Sequence, residues 1–193
     1  KRDENGQIIM KNGVPVFTTD EQYSLDHPIG NIQPDLLMSV TPSFTYKGFT
    51  LSALFDMKFG GDVVSVSEAI ATSHGISKRT EQRGELLLPG MNEDGTVNTQ
   101  RIDAQLFYQA VGGRQQAVAE EFVYNASFIR LKEISFGYSF PSLLLRKTPV
   151  SSLRVSFVGR NLAYLMKHTP GTSPEGGYDT SMFSQALDFS SLP

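Results

Sequence analysis

The chain has 193 residues, 39% of them hydrophobic, and this composition is typical of a folded protein rather than a disordered one. Its formal net charge of −3 argues against nucleic acid as a partner, because a nucleic-acid-binding protein requires a basic face. The absence of cysteine excludes disulfide frameworks, thiol catalysis and cysteine zinc sites.

The first element, residues 1–34, is predicted to be a connecting loop that carries small hairpins. Two Asn-Gly dipeptides, Asn5-Gly6 and Asn12-Gly13, are interspersed with short apolar runs, which is typical of tight turns. The segment has no apolar signal-peptide core, and Lys1 is not an initiator residue. We therefore expect the chain to be a piece of a longer protein.

Residues 35–59 are predicted to form a hairpin of two long strands. Apolar and polar side chains alternate on both sides of a tight turn at Lys47-Gly48, and only Leu54 interrupts the polar set of the second strand. The apolar set of that strand comprises Phe49, Leu51, Ala53, Phe55, Met57 and Phe59. Each strand has about ten residues, which is enough to cross a bilayer at a tilt, whereas strands of soluble proteins commonly have about five or six.

Residues 60–126 are predicted to be a long loop that contains a helix at residues 64–73. Four aromatic side chains in this segment are candidates for stacking on a bound substrate: Phe107, Tyr108, Phe122 and Tyr124. Packing in a core of the loop itself is the alternative role for them.

Residues 127–164 are predicted to form a second hairpin of long strands, with a turn between Pro141 and Pro149. The parity of the apolar side chains shifts near Lys132-Glu133, which indicates a β-bulge or a strand whose upper part stands clear of a membrane. Glu133, at this shift, is predicted to pair with a neighbouring cation such as Arg154 or Arg160.

The connections alternate short, long, short, which is typical of an outer-membrane β-barrel with tight periplasmic turns and long outer loops. Ser/Thr-rich polar faces suit a water-filled lumen, apolar faces suit lipid, and aromatic residues collect at strand ends as in a barrel girdle. The sequence therefore predicts an all-β fold, with about four long antiparallel strands plus long outer loops as part of a large transmembrane β-barrel. Half of a soluble β-sandwich fits the same periodicity and remains an alternative.

On the barrel hypothesis, the polar and charged side chains of the strands line the lumen. The predicted lumen-facing residues are Thr50, Asp56, Lys58, Arg130, Lys132, Arg154 and Arg160. Asp56→Asn is accordingly expected to cost little.

Three motifs follow one another along the chain. GNIQPD at residues 30–35 precedes the YKGF hairpin at residues 46–49; NASFIRLKEISFGYSFP occupies residues 125–141; and Asn161-Leu162 precedes Pro174-Glu175. Together they resemble the C-terminal barrel strands of SusC/RagA-type TonB-dependent outer-membrane transporters of Bacteroidetes. One departure is Ser173, where the family more often has Asp.

The resemblance implies that the chain is a C-terminal fragment of a multi-pass barrel of about 22 strands in the cell outer membrane. Residues 60–126 would be an extracellular loop, and residues 165–193 an extracellular loop before a last strand that the chain lacks. It also implies TonB-dependent import of large nutrients, oligosaccharides or peptides, together with a SusD-like surface lipoprotein. The other implied partners are TonB, through an absent N-terminal region, the protein's own N-terminal plug and remaining barrel, and outer-membrane lipid.

Two alternatives stay open for function. A siderophore or cobalamin TonB-dependent receptor shares the barrel, and a soluble β-sandwich binding module does not. The three histidines, His27, His74 and His168, are dispersed, so the sequence predicts no metal site and no cofactor. Without a catalytic constellation, we do not expect an enzyme.

Overall fold

The structure is a computed structural model that describes residues 1–18, 20–113, 118–171, 173–175 and 187–188. Its strands are β1 (Ile9–Lys11), β2 (Val14–Pro15), β3 (Leu36–Val40), β4 (Ser43–Tyr46), β5 (Phe49–Phe59), β6 (Asp62–Ser65), β7 (Glu85–Leu87), β8 (Met91–Asn92), β9 (Arg101–Asp103), β10 (Val123–Asn125), β11 (Phe128–Ser139), β12 (Arg154–Lys167) and β13 (Leu187–Asp188). Its helices are α1 (Glu21–Asp26), α2 (Val66–Ser73), α3 (Ala104–Val111) and α4 (Ser142–Leu145), with 3₁₀ turns at Lys78–Thr80 and Ala119–Phe122. Over the described residues, none of these helices has the length and apolar character to cross a membrane.

The chain divides into two compact units, of which the first, the sheet unit, comprises Gln33–Gly61 and Asn125–His168. Its antiparallel sheet has the order β12-β11-β5-β3, and β4 also pairs with β5. Strands β5, β11 and β12 have 11, 12 and 14 residues, well beyond the usual length of about five or six. The predicted all-β fold is confirmed.

Strands β3 and β4 are in effect one long strand interrupted at Pro42. Val40 pairs with Phe55 and Ser43 with Ser52, so the register against β5 is the same on both sides of the interruption. Proline has no N–H to donate, but its carbonyl still accepts a hydrogen bond from the Ala53 amide at 3.1 Å.

The predicted turn at Lys47-Gly48 is confirmed as a two-residue hairpin loop between paired Tyr46 and Phe49. Lys47 and Gly48 both have positive φ angles, 46° and 89°, as a type I′ turn requires. This turn matches the twist of the strands that it joins, which sets the register of the whole first hairpin.

The predicted β-bulge is also confirmed, because the pairing of β11 with β5 shifts between Leu131 and Glu133. Lys132 is the extra residue. The pairing of β11 with β12 shifts at the same place, opposite Asn161, which has a φ of 52°. The bulge explains the parity change in the sequence: it keeps Leu131 and Ile134 on the same face of the sheet.

The second unit, the loop unit, comprises Lys1–Ile32, Asp62–Tyr124 and the described residues from Thr169 onward. The core of this unit is built from buried side chains of α2, β7, α3 and the second 3₁₀ turn: Ala69, Leu86, Ala104, Phe107, Tyr108, Val111 and Phe122. Four of them follow the i, i+3, i+4, i+7 spacing of one helix face along α3, which is why this segment folds as a helix against the core.

Both local predictions for the loop unit agree with the structure. The helix predicted at residues 64–73 is present but begins at Val66, because the Ser65 side chain caps it by accepting from the Glu68 amide at 3.2 Å. The Asn12-Gly13 dipeptide forms the turn between β1 and β2, with Lys11 paired to Val14.

Candidate functional site

The two faces of the sheet differ sharply in chemistry. Residues paired across neighbouring strands share a face, so the register sorts the side chains. One face carries only apolar and aromatic side chains along the paired positions of β3 to β11: Leu36, Met38, Val40, Phe44, Tyr46, Phe49, Leu51, Ala53, Phe55, Met57, Phe59, Ile129, Leu131, Ile134, Phe136 and Tyr138. Val155 and Phe157 of β12 extend it.

Many side chains of this apolar face are exposed. Phe44 is 67% exposed and Phe157 is 74% exposed, although both are large hydrophobic residues. A contiguous apolar patch of this kind is unusual on a soluble domain and suits contact with lipid or with a partner.

The opposite, polar face holds the predicted lumen-facing residues. Thr50, Asp56, Lys58, Arg130, Arg154 and Arg160 occupy the matching positions of β5, β11 and β12, and Lys132 reaches the same face from the bulge. The structure thus brings all seven onto one side of the sheet.

Asp56 is the centre of a small charged cluster on this face. Lys132 Nζ donates to its Oδ2 at 2.6 Å, and the Ser39 hydroxyl donates to its Oδ1 at 2.5 Å. Arg130 Nη2 lies 3.8 Å from Oδ2, and the side chains of Arg130 and Asp56 are only 16% and 17% exposed. One carboxylate on β5 is therefore shared by two cations of β11 and a hydroxyl of β3.

An aromatic side chain extends this cluster toward β12. Tyr164 pairs with Arg130, whose guanidinium lies 5.8 Å from the centre of the ring. Lys167 Nζ also lies 5.8 Å from that ring, and Phe128 meets it edge-on at 5.7 Å. Sequence alternation gives Tyr164 the parity of Arg154 and Arg160. It does not show that the ring lies across from Arg130, because that depends on the register between β11 and β12.

Glu133 pairs with Arg160, one of the two predicted partners, with Arg160 Nε donating to its Oε2 at 3.0 Å. The Arg160 side chain is 75% exposed. A solvent-exposed ion pair of this kind contributes at most about 1 kcal/mol to stability. Its position therefore indicates that this face of the sheet is solvated.

The apolar face ends in aromatic rings beside the Lys47-Gly48 turn. Phe49 lies 4.5 Å from Tyr138 and 5.8 Å from Phe136, measured between ring centres, and Tyr138 meets Phe140 edge-on at 4.9 Å. Aromatic rings at strand ends are the arrangement found where a barrel meets the membrane–water interface.

The four candidate substrate-stacking residues lie in the loop unit. Phe107, Tyr108 and Phe122 are buried in its core, and Tyr124 packs against that core. Burial also raises the pKa of the Tyr124 phenol above its ordinary value. This packing favours the structural role over contact with a substrate. Across the described residues, no three His, Cys, Asp or Glu side chains cluster in a way that would hold a metal ion.

Comparison with known proteins gives two curated relatives. The TonB-dependent receptor P3 of Formosa agariphila is 28% identical over 170 residues, which cover 86% of this chain and 16% of that protein. The TonB-dependent receptor SusC of Bacteroides thetaiotaomicron is 23% identical over 194 residues, which cover 97% of this chain and 18% of that protein. No family model matches the chain.

A solved structure shares the fold. The RagAB peptide importer in its open-open state aligns with a TM-score of 0.50 at 20% identity, over 81% of this chain and 15% of the importer chain. The resemblance to SusC/RagA-type TonB-dependent receptors is confirmed, and so is the all-β barrel-fragment fold class. The chain spans less than a fifth of the length of the curated relatives that it matches, 16% and 18%.

Proposed function

We propose that this chain, a portion of a SusC/RagA-type TonB-dependent receptor, forms wall strands and outer loops of a barrel that imports large nutrients across the outer membrane. The observation that carries the proposal is the two-faced sheet of unusually long strands. Its apolar face would contact lipid, and its polar face, with the Asp56 cluster, would line the water-filled lumen.

The proposal places the two hairpins, residues 35–59 and 127–164, in the membrane and residues 60–126 and 165–193 on the extracellular side. Within these loops, residues 114–117, 172, 176–186 and 189–193 lie outside the described residues. The compact core of the loop unit supports this, because a long outer loop with its own core presents a defined surface. The conformation of that surface would be maintained by the aromatic side chains packed in the core beneath it: Phe107, Tyr108, Phe122 and Tyr124.

The proposed substrates are oligosaccharides or peptides, and the proposed partners are a SusD-like surface lipoprotein and, through an N-terminal region and plug, TonB. The names of the relatives support this class: one is SusC, and the structural neighbour is a peptide importer. A siderophore or cobalamin receptor would have the same barrel but no lipoprotein lid.

Affinity purification of the full-length protein from outer membranes tests the proposal. A co-purifying surface lipoprotein, together with loss of growth on one oligosaccharide or peptide mixture after deletion of the gene, is the expected result. Loss of siderophore or cobalamin uptake instead, with no lipoprotein recovered, would favour the alternative receptor class.

A further inference from the structure

The strand and turn residues at the short-turn end of the sheet include cations but no acids. Residues 42–53 and 134–159 contain Lys47, Arg146, Lys147 and Arg154 but no Asp or Glu. The acidic residues of the sheet unit lie elsewhere in its sequence: Asp35, Asp56 and Glu133. The cation excess is therefore strongest at one end of the sheet.

Two turns meet at this end. The Ser139 amide, at the close of β11, donates to the Gly48 carbonyl at 2.8 Å, so the Lys47-Gly48 turn lies beside the start of the longer turn that contains α4. The apolar face and its aromatic rings reach the same place, since Tyr46 and Phe49 flank the short turn.

The longer turn exposes apolar side chains directly beside its cations. Leu143 and Leu144 of α4 are 71% and 66% exposed, and Val150 and Leu153 farther along are also exposed. Arg146 and Lys147 follow α4 at once and are exposed too. Neither cation makes an ion pair or a side-chain hydrogen bond with any residue that the structure describes.

We propose that this turn end, built from Lys47, Leu143, Leu144, Arg146 and Lys147, binds the anionic phospholipid headgroups of the adjoining membrane leaflet. Adjacent exposed leucines are unfavourable in water, and lipid tails alone would not favour the neighbouring cations. An anionic headgroup layer satisfies both, because leucine enters the acyl boundary while the long cationic side chains extend to the phosphates.

This inference rests on the proposed function, because that function places short turns at the periplasmic leaflet. The leaflet there would be phospholipid, and lipopolysaccharide is the competing source of anionic groups. Charge complementarity alone does not distinguish the two, so the test includes both.

The test uses the full-length transporter in nanodiscs of phosphatidylethanolamine with one quarter phosphatidylglycerol. The protein is then extracted from the discs with detergent, and the lipid that it retains is quantified. The wild type is compared with Arg146→Gln/Lys147→Gln. The control, Lys78→Gln/Arg101→Gln, removes equal charge from the loop unit. We expect the wild type and the control to enrich phosphatidylglycerol. The first variant removes two cations, each worth about a fivefold preference, so it should lose that enrichment by about 25-fold.

A second measurement tests whether the leucines of the turn enter the lipid. A fluorophore on Leu144→Cys should be quenched by brominated phospholipid and not by a water-soluble quencher, with Ser151→Cys as the reference position in the same turn. Equal phosphatidylglycerol enrichment in wild type and turn variant, water-soluble quenching at Leu144→Cys, or a preference for lipopolysaccharide in mixed discs would each overturn the inference.

These failures are distinguishable from failure of the proposed function. A protein that retains lipid in the discs and imports its substrate in cells, but shows no headgroup preference, disproves only this inference. A protein that never incorporates into the discs, or that incorporates but supports no import when it is produced in cells, disproves the proposed function.

Discussion

Lys132 Nζ lies 2.6 Å from Asp56 Oδ2 on the neighbouring strand, and it does so from the position at which the register of β11 against β5 shifts. The bulge thus has two effects. It keeps the apolar side chains on one face, and it brings a second cation to the carboxylate that Arg130 already approaches.

Asp56→Leu should lower the stability of the intact barrel by about 1–3 kcal/mol, because Arg130 and Lys132 would lose their shared carboxylate. Asp56→Asn should cost less than Asp56→Leu but clearly more than the small effect expected from the sequence alone. Urea unfolding of the full-length protein in lipid vesicles measures both. Ser52→Ala, on the same face of the same strand, is the control and should change stability little; an Asp56→Leu value equal to the control would contradict the structural role.

The same new charge should cost much more stability at one residue of β5 than at its neighbour. Phe55→Arg places a cation on the apolar face and should cost about 2–4 kcal/mol if the position lies near the bilayer midplane. Leu54→Arg places it on the polar face opposite Glu133 and should cost much less. Equilibrium unfolding of both variants in vesicles gives the comparison, and equal costs would refute the assignment of the two faces.

Gly60→Ala should impair folding of the intact protein. Gly60 has a φ of 76°, and a Cβ there would lie 2.1 Å from Asp35 Oδ2 and 3.0 Å from the Asp35 amide nitrogen. The matched control is Gly95→Ala, which has a similar φ of 79° but nothing within 4 Å of the new carbon. The yield of folded barrel should drop for Gly60→Ala well beyond the control, which carries only the backbone strain of about 1–2 kcal/mol.

Two buried threonines of the loop unit should differ when changed to valine. The Thr72 hydroxyl is buried without a hydrogen-bond partner among the described residues, whereas the Thr80 hydroxyl donates to the Ser77 carbonyl at 2.6 Å. Thr72→Val should leave stability unchanged or raise it by about 1 kcal/mol, and Thr80→Val should lower it by about 1 kcal/mol. Limited proteolysis of the loop unit in the full-length protein reports both changes, and a destabilised Thr72→Val protein would be the unexpected outcome.

Strict alternation made the sheet predictable. Each side chain from Phe49 to Phe59 has the face that its parity assigns, and the Lys47-Gly48 turn fixes the register. The parity change at Lys132-Glu133 likewise predicts a bulge, because an extra residue is what restores an apolar face.

Contacts across distant strands were not predictable in the same way. Ser39 and Tyr164 join the Asp56 cluster only because β3 and β12 lie on either side of the β5-β11 pair. The register of β12 against β11 also shifts once, between Arg160 and Ala163, before the strand reaches Tyr164. Local periodicity carries no information on that order. The role of the loop aromatics was ambiguous for a related reason. Composition does not distinguish a ring that packs in a core from one that contacts a ligand.

The most direct test of the two-faced sheet compares lipid exposure at neighbouring positions of β5 in the full-length protein. Single cysteines at Ser52 and Ala53 are labelled with the same fluorophore, and the protein is reconstituted with brominated lipid. We predict that brominated lipid quenches the label strongly at Ala53 and little at Ser52. A water-soluble quencher that enters the lumen should quench the label at Ser52 more than at Ala53. Equal quenching at both positions, or stronger lipid quenching at Ser52, would contradict the assignment of one face to lipid and the other to the lumen.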